Sequence, residues 1–286
     1  MRYLIALPFL SLVSMGCSAH AAITLQAGTV LATDRTNNVL RQFDASTGAQ
    51  IGSVQLPVAA NRMLEGVTLV GSDVFVSYAS TTPSLQQIAR VNLQTGALSG
   101  SFGATNPVGL AGRNGEVLAI NTPTIGSYGV QRFTIAGSLI STRSLTTFGT
   151  LGFQEFIDDL AWTGTRFATV SNFRLPGVGS FQVYEWDATN GQYAPPGTTI
   201  LYPQAGQWAE GFDIAPNGNY WFTYNAAQGS TAPTMIEHYD IVNGQRIVFT
   251  PQAVGALSDI AFVAIPGPSV LGAIGLAATV TQRRRR

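Results

Sequence analysis

Apolar residues along this chain fall in short runs that alternate with polar ones, and no stretch of the body shows helical spacing. One unit recurs five times at a period of roughly 40–55 residues, which marks a repeat architecture. Each unit opens with a short strand: Gly66-Val67-Thr68-Leu69, Val108-Gly109-Leu110-Ala111, Asp159-Leu160-Ala161-Trp162, Gly211-Phe212-Asp213-Ile214 and Asp259-Ile260-Ala261-Phe262. Second strands begin at Thr29, Val74, Glu116, Arg166 and Tyr220, each preceded by a glycine in a tight turn. A third strand ends in a polar turn before a fourth. That turn reads Asp44-Ala45-Ser46-Thr47-Gly48, Asn92-Leu93-Gln94-Thr95-Gly96, Asp187-Ala188-Thr189-Asn190-Gly191 and Asp240-Ile241-Val242-Asn243-Gly244. Asp or Asn at its head is expected to bond the backbone two residues on. The third unit has only the shorter Ile135-Ala136-Gly137.

Four strands per unit and no helix predict an all-β fold, a β-propeller of four-stranded blades. Five blades are expected. Ser258 to Ala264 reads as the first strand of a unit with no second strand after it, so it would supply the inner strand of the blade begun at Thr29 and close the ring. The alternative takes Ile23 to Gln26 as that inner strand, and six blades remain open. In repeat form the body resembles secreted propellers of the quinoprotein-like, NHL-like or phytase-like kind.

The two ends break this pattern. Arg2, the apolar Leu4 to Val13 and Ala19-His20-Ala21 have the order of a secretion signal, with cleavage expected after Ala21. A lipoprotein reading at Gly16-Cys17 would have Ser14 where leucine is usual. At the other end, Pro266-Gly267-Pro268 precedes an uncharged stretch, Val270 to Thr281, and then Arg283, Arg284, Arg285 and Arg286. A dozen apolar residues make about 18 Å of helix, short of a hydrocarbon core about 30 Å thick, so the stretch suits transient rather than permanent membrane insertion. Terminal arginines stay on the cytoplasmic side. This layout resembles the PEP-CTERM sorting signal, with Gly267 in place of the family's glutamate. The resemblance implies processing by an exosortase-like enzyme and delivery to the cell surface or extracellular matrix. The expected organisation is therefore 1–21 signal, 22–264 propeller, 265–286 sorting tail.

Composition alters the picture in two ways. All fifteen basic residues are arginine, and five of them lie in the two end segments; ten then face fifteen acids, an excess of five negative charges. A mildly acidic domain argues against nucleic acid as a partner. The single cysteine, Cys17, leaves with the signal, so the body would have no disulfide.

Candidate chemistry is sparse. Acids recur at the start of the inner strands: Glu65, Asp158, Asp159, Glu210 and Asp259. If they converge at one channel mouth, carboxylates from several strands would suit Ca²⁺. The Glu65-Gly66 and Glu210-Gly211 pairs resemble gluconolactonase-like and phytase-like propellers, which implies a catalytic metal. The alternative is that these acids bond backbone donors at the channel entrance. His238, alone outside the signal, is expected to pack on a strand, and no Gly-x-Ser-x-Gly elbow is present. Trp162, Trp186, Trp208 and Trp221 are expected between blades rather than as a sugar platform. The reading is a non-catalytic binding or structural module, for exopolysaccharide or another surface protein. A Ca-dependent hydrolase or lactonase is the alternative.

Overall fold

The computed structural model describes residues 22–57, 60–124, 127–145, 155–173, 179–227 and 229–264. They form twenty strands, numbered in chain order, in five four-stranded antiparallel sheets. Blade A holds β1 (Thr29–Asp34), β2 (Val39–Asp44) and β3 (Gln50–Gln55); blade B runs from β4 (Met63–Val70) through β5 (Asp73–Ala79) and β6 (Gln87–Val91) to β7 (Leu98–Gly103). Blade C comprises β8 (Pro107–Arg113), β9 (Glu116–Thr124), β10 (Ser127–Thr134) and β11 (Leu139–Ser144). Blade D comprises β12 (Glu155–Trp162), β13 (Arg166–Phe173), β14 (Ser180–Asp187) and β15 (Tyr193–Leu201). Blade E comprises β16 (Gln207–Ile214), β17 (Tyr220–Ala226), β18 (Met235–Asp240) and β19 (Gln245–Phe249).

The last strand, β20 (Leu257–Val263), pairs antiparallel with β1 and becomes the inner strand of blade A. The chain is a five-bladed propeller closed by its C-terminal strand, and the six-blade alternative falls. Ile23 to Gln26 is not a strand. Ile23 is fully buried between blades A and B, its N–H bonded to the Leu93 carbonyl at 3.1 Å.

Period-two alternation explains why the second strands are apolar throughout. Successive side chains point to opposite faces, and each face of a blade packs on a different neighbour. In β17, Tyr220, Phe222 and Tyr224 face blade D while Trp221 faces blade A. Among the described residues the buried apolar side chains form five clusters, one at each blade–blade interface. The Asx turns form as the sequence predicts. Asp44, Asn92, Asp187 and Asp240 each accept N–H bonds from the residues two and three ahead, at 2.7–3.1 Å. The closing glycines, Gly48, Gly96, Gly191 and Gly244, have φ between +67° and +73°, a conformation that side-chain-bearing residues seldom adopt.

Among the described residues no helix is long and apolar enough to cross a membrane. The signal at 1–21, with Ala19 and Ala21, and the tail at 265–286, with Pro266 to Pro268 and the terminal arginines, lie outside the described residues.

Candidate functional site: the acidic inner strands

Every inner strand carries a register shift at the same place. It falls between Leu64 and Val67, Pro107 and Gly109, Ile157 and Asp159, and Ala209 and Gly211; in blade A it falls where Asp34 pairs with Leu257 and Thr33 with Asp259. The residues set off by these bulges include Glu65, Val108, Asp158, Glu210 and Ser258. The next residue in each strand is Gly66, Gly109, Asp159, Gly211 or Asp259. The single acidic ring expected from the sequence therefore resolves into two tiers. Glu65, Asp158 and Glu210 stand at the mouth, and Asp159 and Asp259 stand one step inside.

The inner tier is closed. An inner strand has a partner on one side only, so its remaining N–H groups face the axis and need acceptors. Asp259 accepts from Val67 at 2.6 Å, Leu110 at 3.3 Å and its own neighbour Ile260 at 2.5 Å. Asp159 accepts from Phe212 at 2.6 Å and Leu160 at 2.7 Å. Two carboxyls thus serve the same backbone position in all five blades, and both are fully buried. Glycine supplies the space: a Cβ on Gly109 would stand 1.9 Å from the Asp159 carboxyl, and one on Gly211 would stand 2.7 Å from the Asp259 Cα. The two acids also bond one another. Burial holds Asp259 up at about 8, and burial with the neighbouring Asp259 holds Asp159 well above the usual carboxylate range. A shared proton follows from two carboxyls this close in a dry site. Further along, Asp213 repeats the device by accepting from Phe262 at 2.7 Å and Ile214 at 2.8 Å, and burial raises it to about 6.

The mouth holds a cation of its own. Arg35, in the turn after β1, bridges the two blades that flank its own. Its Nη2 lies 2.7 Å from Glu210 Oε2 and its Nη1 3.6 Å from Glu65 Oε2, and the Asp158 charge adds to the pull. Burial raises Glu65 to about 7 against the opposing attraction of Arg35. Asp158 accepts a bond from the Asn172 amide, which also donates to the Ala209 carbonyl at 2.6 Å. The Tyr202 hydroxyl and the Ala209 N–H bond Asn172 in turn at 2.7 and 3.1 Å. Hydroxyls on the second strands bond the bulges themselves. The Gly66 N–H donates to Ser77 at 2.7 Å and the Gly211 N–H to Thr223 at 2.8 Å. Thr33 donates to the Glu65 carbonyl at 2.5 Å.

This donor set does not suit a divalent metal. Glu65 and Glu210 are engaged by a guanidinium, Asp158 by an amide, and Asp159 and Asp259 by backbone N–H groups. Among the described residues no group of three or more His, Cys, Asp or Glu side chains is placed to hold a metal ion. His238, a residue of β18, stacks on Trp221 of β17 at 4.8 Å and bonds to Asn219 at 3.0 Å. Of the tryptophans, Trp186 and Trp221 are buried, while Trp162 and Trp208 are half-buried; Arg113 covers Trp162 at 4.2 Å.

No protein-family model matches the chain, and no curated protein matches it in sequence. Solved propellers match by fold. A chain of the nidogen/laminin complex aligns over 82% of this chain and 97% of its own, at 10% identity and a TM-score of 0.49. Virginiamycin B lyase from Staphylococcus aureus aligns over 87% and 70%, at 14% identity and a TM-score of 0.39. A luciferin-regenerating enzyme aligns over 87% and 76%, at 12% identity and a TM-score of 0.43. Likeness at this level concerns the fold and carries no activity across, since one scaffold hosts unrelated functions.

Sequence reasoning missed Arg35, which stands in a turn without a motif. It also missed the division of labour between Asp159 and Asp259. A signal for the latter was present: only glycine and aspartate occupy one repeat position, as Gly66, Gly109, Asp159, Gly211 and Asp259.

Proposed function

We propose that this chain is an exported propeller that acts as a non-catalytic binding or structural module at the cell surface or in the extracellular matrix. The observation that carries the reading is the Arg35 ion pair with Glu65 and Glu210, which occupies the carboxylates a hydrolytic metal centre would need. The outward delivery rests on the order of the segments at 1–21 and 265–286, and the processing partner on that reading is an exosortase-like enzyme. Transient insertion of the tail in the inner membrane precedes release of an acidic, disulfide-free domain.

Cell fractionation with intact-mass analysis tests this. The expected species begins at Ala22, lacks Arg283 to Arg286 and is found with the envelope or the medium. A cytoplasmic chain that keeps its first 21 residues would contradict export, and an exported one that keeps the arginines would contradict tail processing.

A further inference from the structure

A cleft of about 780 Å³ opens between blades B and C. It is a different site from the acidic channel. Its rim is built from the Ser80 to Gln86 connection, the crossover at Ala104 to Asn106, and the face of β10 with the turn after it. The size lies within the range of small-molecule sites, about 300–1,000 Å³.

Among the described residues the lining has no ionisable side chain. Anions would find no cation there, and cations no carboxylate. Polarity comes from carboxamides and hydroxyls, and the amides are oriented. Gln131 Oε1 accepts the Thr105 N–H at 2.8 Å, and Gln86 Oε1 accepts the Asn106 N–H at 2.8 Å. Those bonds fix which end of each amide is nitrogen. A carboxamide nitrogen carries two donors. Gln86 gives one to the Ser80 carbonyl at 2.7 Å, and the nine-tenths-buried Gln131 has only a 3.4 Å contact, to the Thr105 hydroxyl. Each amide therefore keeps a donor for a ligand oxygen. Thr81 and Thr105, both exposed, add hydroxyls that donate and accept.

The walls are apolar at two exposed points, Met63 at 57% and Leu139 at 56% exposure. The rim is also held in shape. Asn106 and Asn61 take φ of +38° and +64°, the Ser80 hydroxyl donates to the Asn61 carbonyl at 2.5 Å, and the Thr82 N–H donates back to Ser80 at 3.0 Å. A preformed rim lowers the ordering cost of binding.

Neutral donors and acceptors set between small apolar walls match a ring that shows hydroxyls at its edge and C–H groups on its face. We infer that this cleft binds a neutral polyhydroxylated chain, a neutral glycan. A peptide strand fits less well, because each outer edge strand offers the lining one terminal residue, Gly103 at the end of β7 and Leu139 at the start of β11. The cleft runs from the start of β4 and β8, at Met63 and Ala104 to Asn106, along blade C to the turn between β10 and β11, at Gly137 and Leu139. The inference rests on the binding-module reading and supplies its ligand class.

Calorimetric titration of the purified full chain with maltohexaose, cellohexaose, laminarihexaose and chitohexaose tests it. Oligogalacturonate of matched length and a neutral hexapeptide serve as competitors in class. At least one neutral hexasaccharide is expected to bind with Kd below about 1 mM. Met63→Glu and Leu139→Glu, both at exposed positions, are each expected to weaken binding about tenfold with an unchanged melting temperature. No binding by any of the four, tighter binding of the oligogalacturonate or the peptide, or binding insensitive to both substitutions would overturn the site. Saccharide binding that ignores the substitutions sinks the cleft and leaves the module reading intact. A cytoplasmic location sinks the module reading and leaves the cleft measurement standing.

Discussion

Asp259 and Asp159 decide the chemistry of the channel. Asp259 alone serves three N–H groups from three blades, at Val67, Leu110 and Ile260. Each buried donor left without an acceptor costs about 1–3 kcal/mol. Asp259→Ala should therefore lower stability by about 3 kcal/mol or more, a large share of the about 5–15 kcal/mol a domain usually has. The pair also sets a pH dependence. Asp259 at about 8, Glu65 at about 7 and Asp213 at about 6 all lie above their unfolded values, and Asp159 is raised with them. In the window between, the folded chain holds more protons than the unfolded one. The stabilisation is complete below about pH 4 and is lost as pH rises toward about 8. Asp34 works in the opposite direction. Burial raises it, but bonds from Asn37, Gly255 and Arg41 outweigh this and lower it, so its contribution is lost only in acid. Urea unfolding across pH should show greatest stability in mildly acidic solution and a decline through neutrality. Asp159→Asn removes one titrating member of the pair and should flatten the upper part of that decline, at the cost of lower stability throughout, because its amide nitrogen cannot accept the Leu160 or Phe212 N–H that a carboxyl oxygen now takes.

At the scale of the strand, the bulge is the functional unit. It turns one residue of each inner strand toward the axis and leaves a glycine or aspartate next to it. Gly109 is glycine because the Asp159 carboxyl occupies the place of its side chain. Gly109→Ala should destabilise by about 4 kcal/mol, since backbone and a buried acid would both have to move. Gly103→Ala, where a Cβ meets nothing within 4 Å, should change stability by less than about 0.5 kcal/mol. Parallel denaturant titrations of the two variants check this contrast. Much of this level is legible in the sequence. Alternating runs give the strands, and Asp44, Asn92, Asp187 and Asp240 give the turns. The bulges are not legible, because a two-residue period is silent about where the register of pairing slips. The meeting of Asp159 with Asp259 is hidden for another reason. They lie a hundred residues apart, on blades that are not neighbours, and only closure of the ring joins them.

At the scale of the molecule, closure depends on a latch. Asp34, fully buried at the end of β1, accepts from Gly255 at 3.0 Å, just before β20, and from Arg41 at 2.8 Å. Breaking it strands a buried guanidinium and frees the segment that leads into β20. Asp34→Ala should cost about 3–5 kcal/mol. Hydrogen exchange should place the first loss of protection in β20 and β1 rather than in blade C. The ring, its closing strand and the blade number follow from the repeat and its unpaired last strand. Arg35 does not, since a turn residue announces no partner until blades B and E bring Glu65 and Glu210 beneath it.

On the proposed function, the acidic inner strands serve the fold and its own arginine rather than a metal. Calorimetric titration of the full chain with Ca²⁺, paired with melting curves in chelator and in excess calcium, decides between the two. No saturable heat and one melting temperature in all conditions are expected. Stoichiometric binding with a chelator-sensitive melting temperature, abolished by Glu65→Gln or Glu210→Gln, would contradict it.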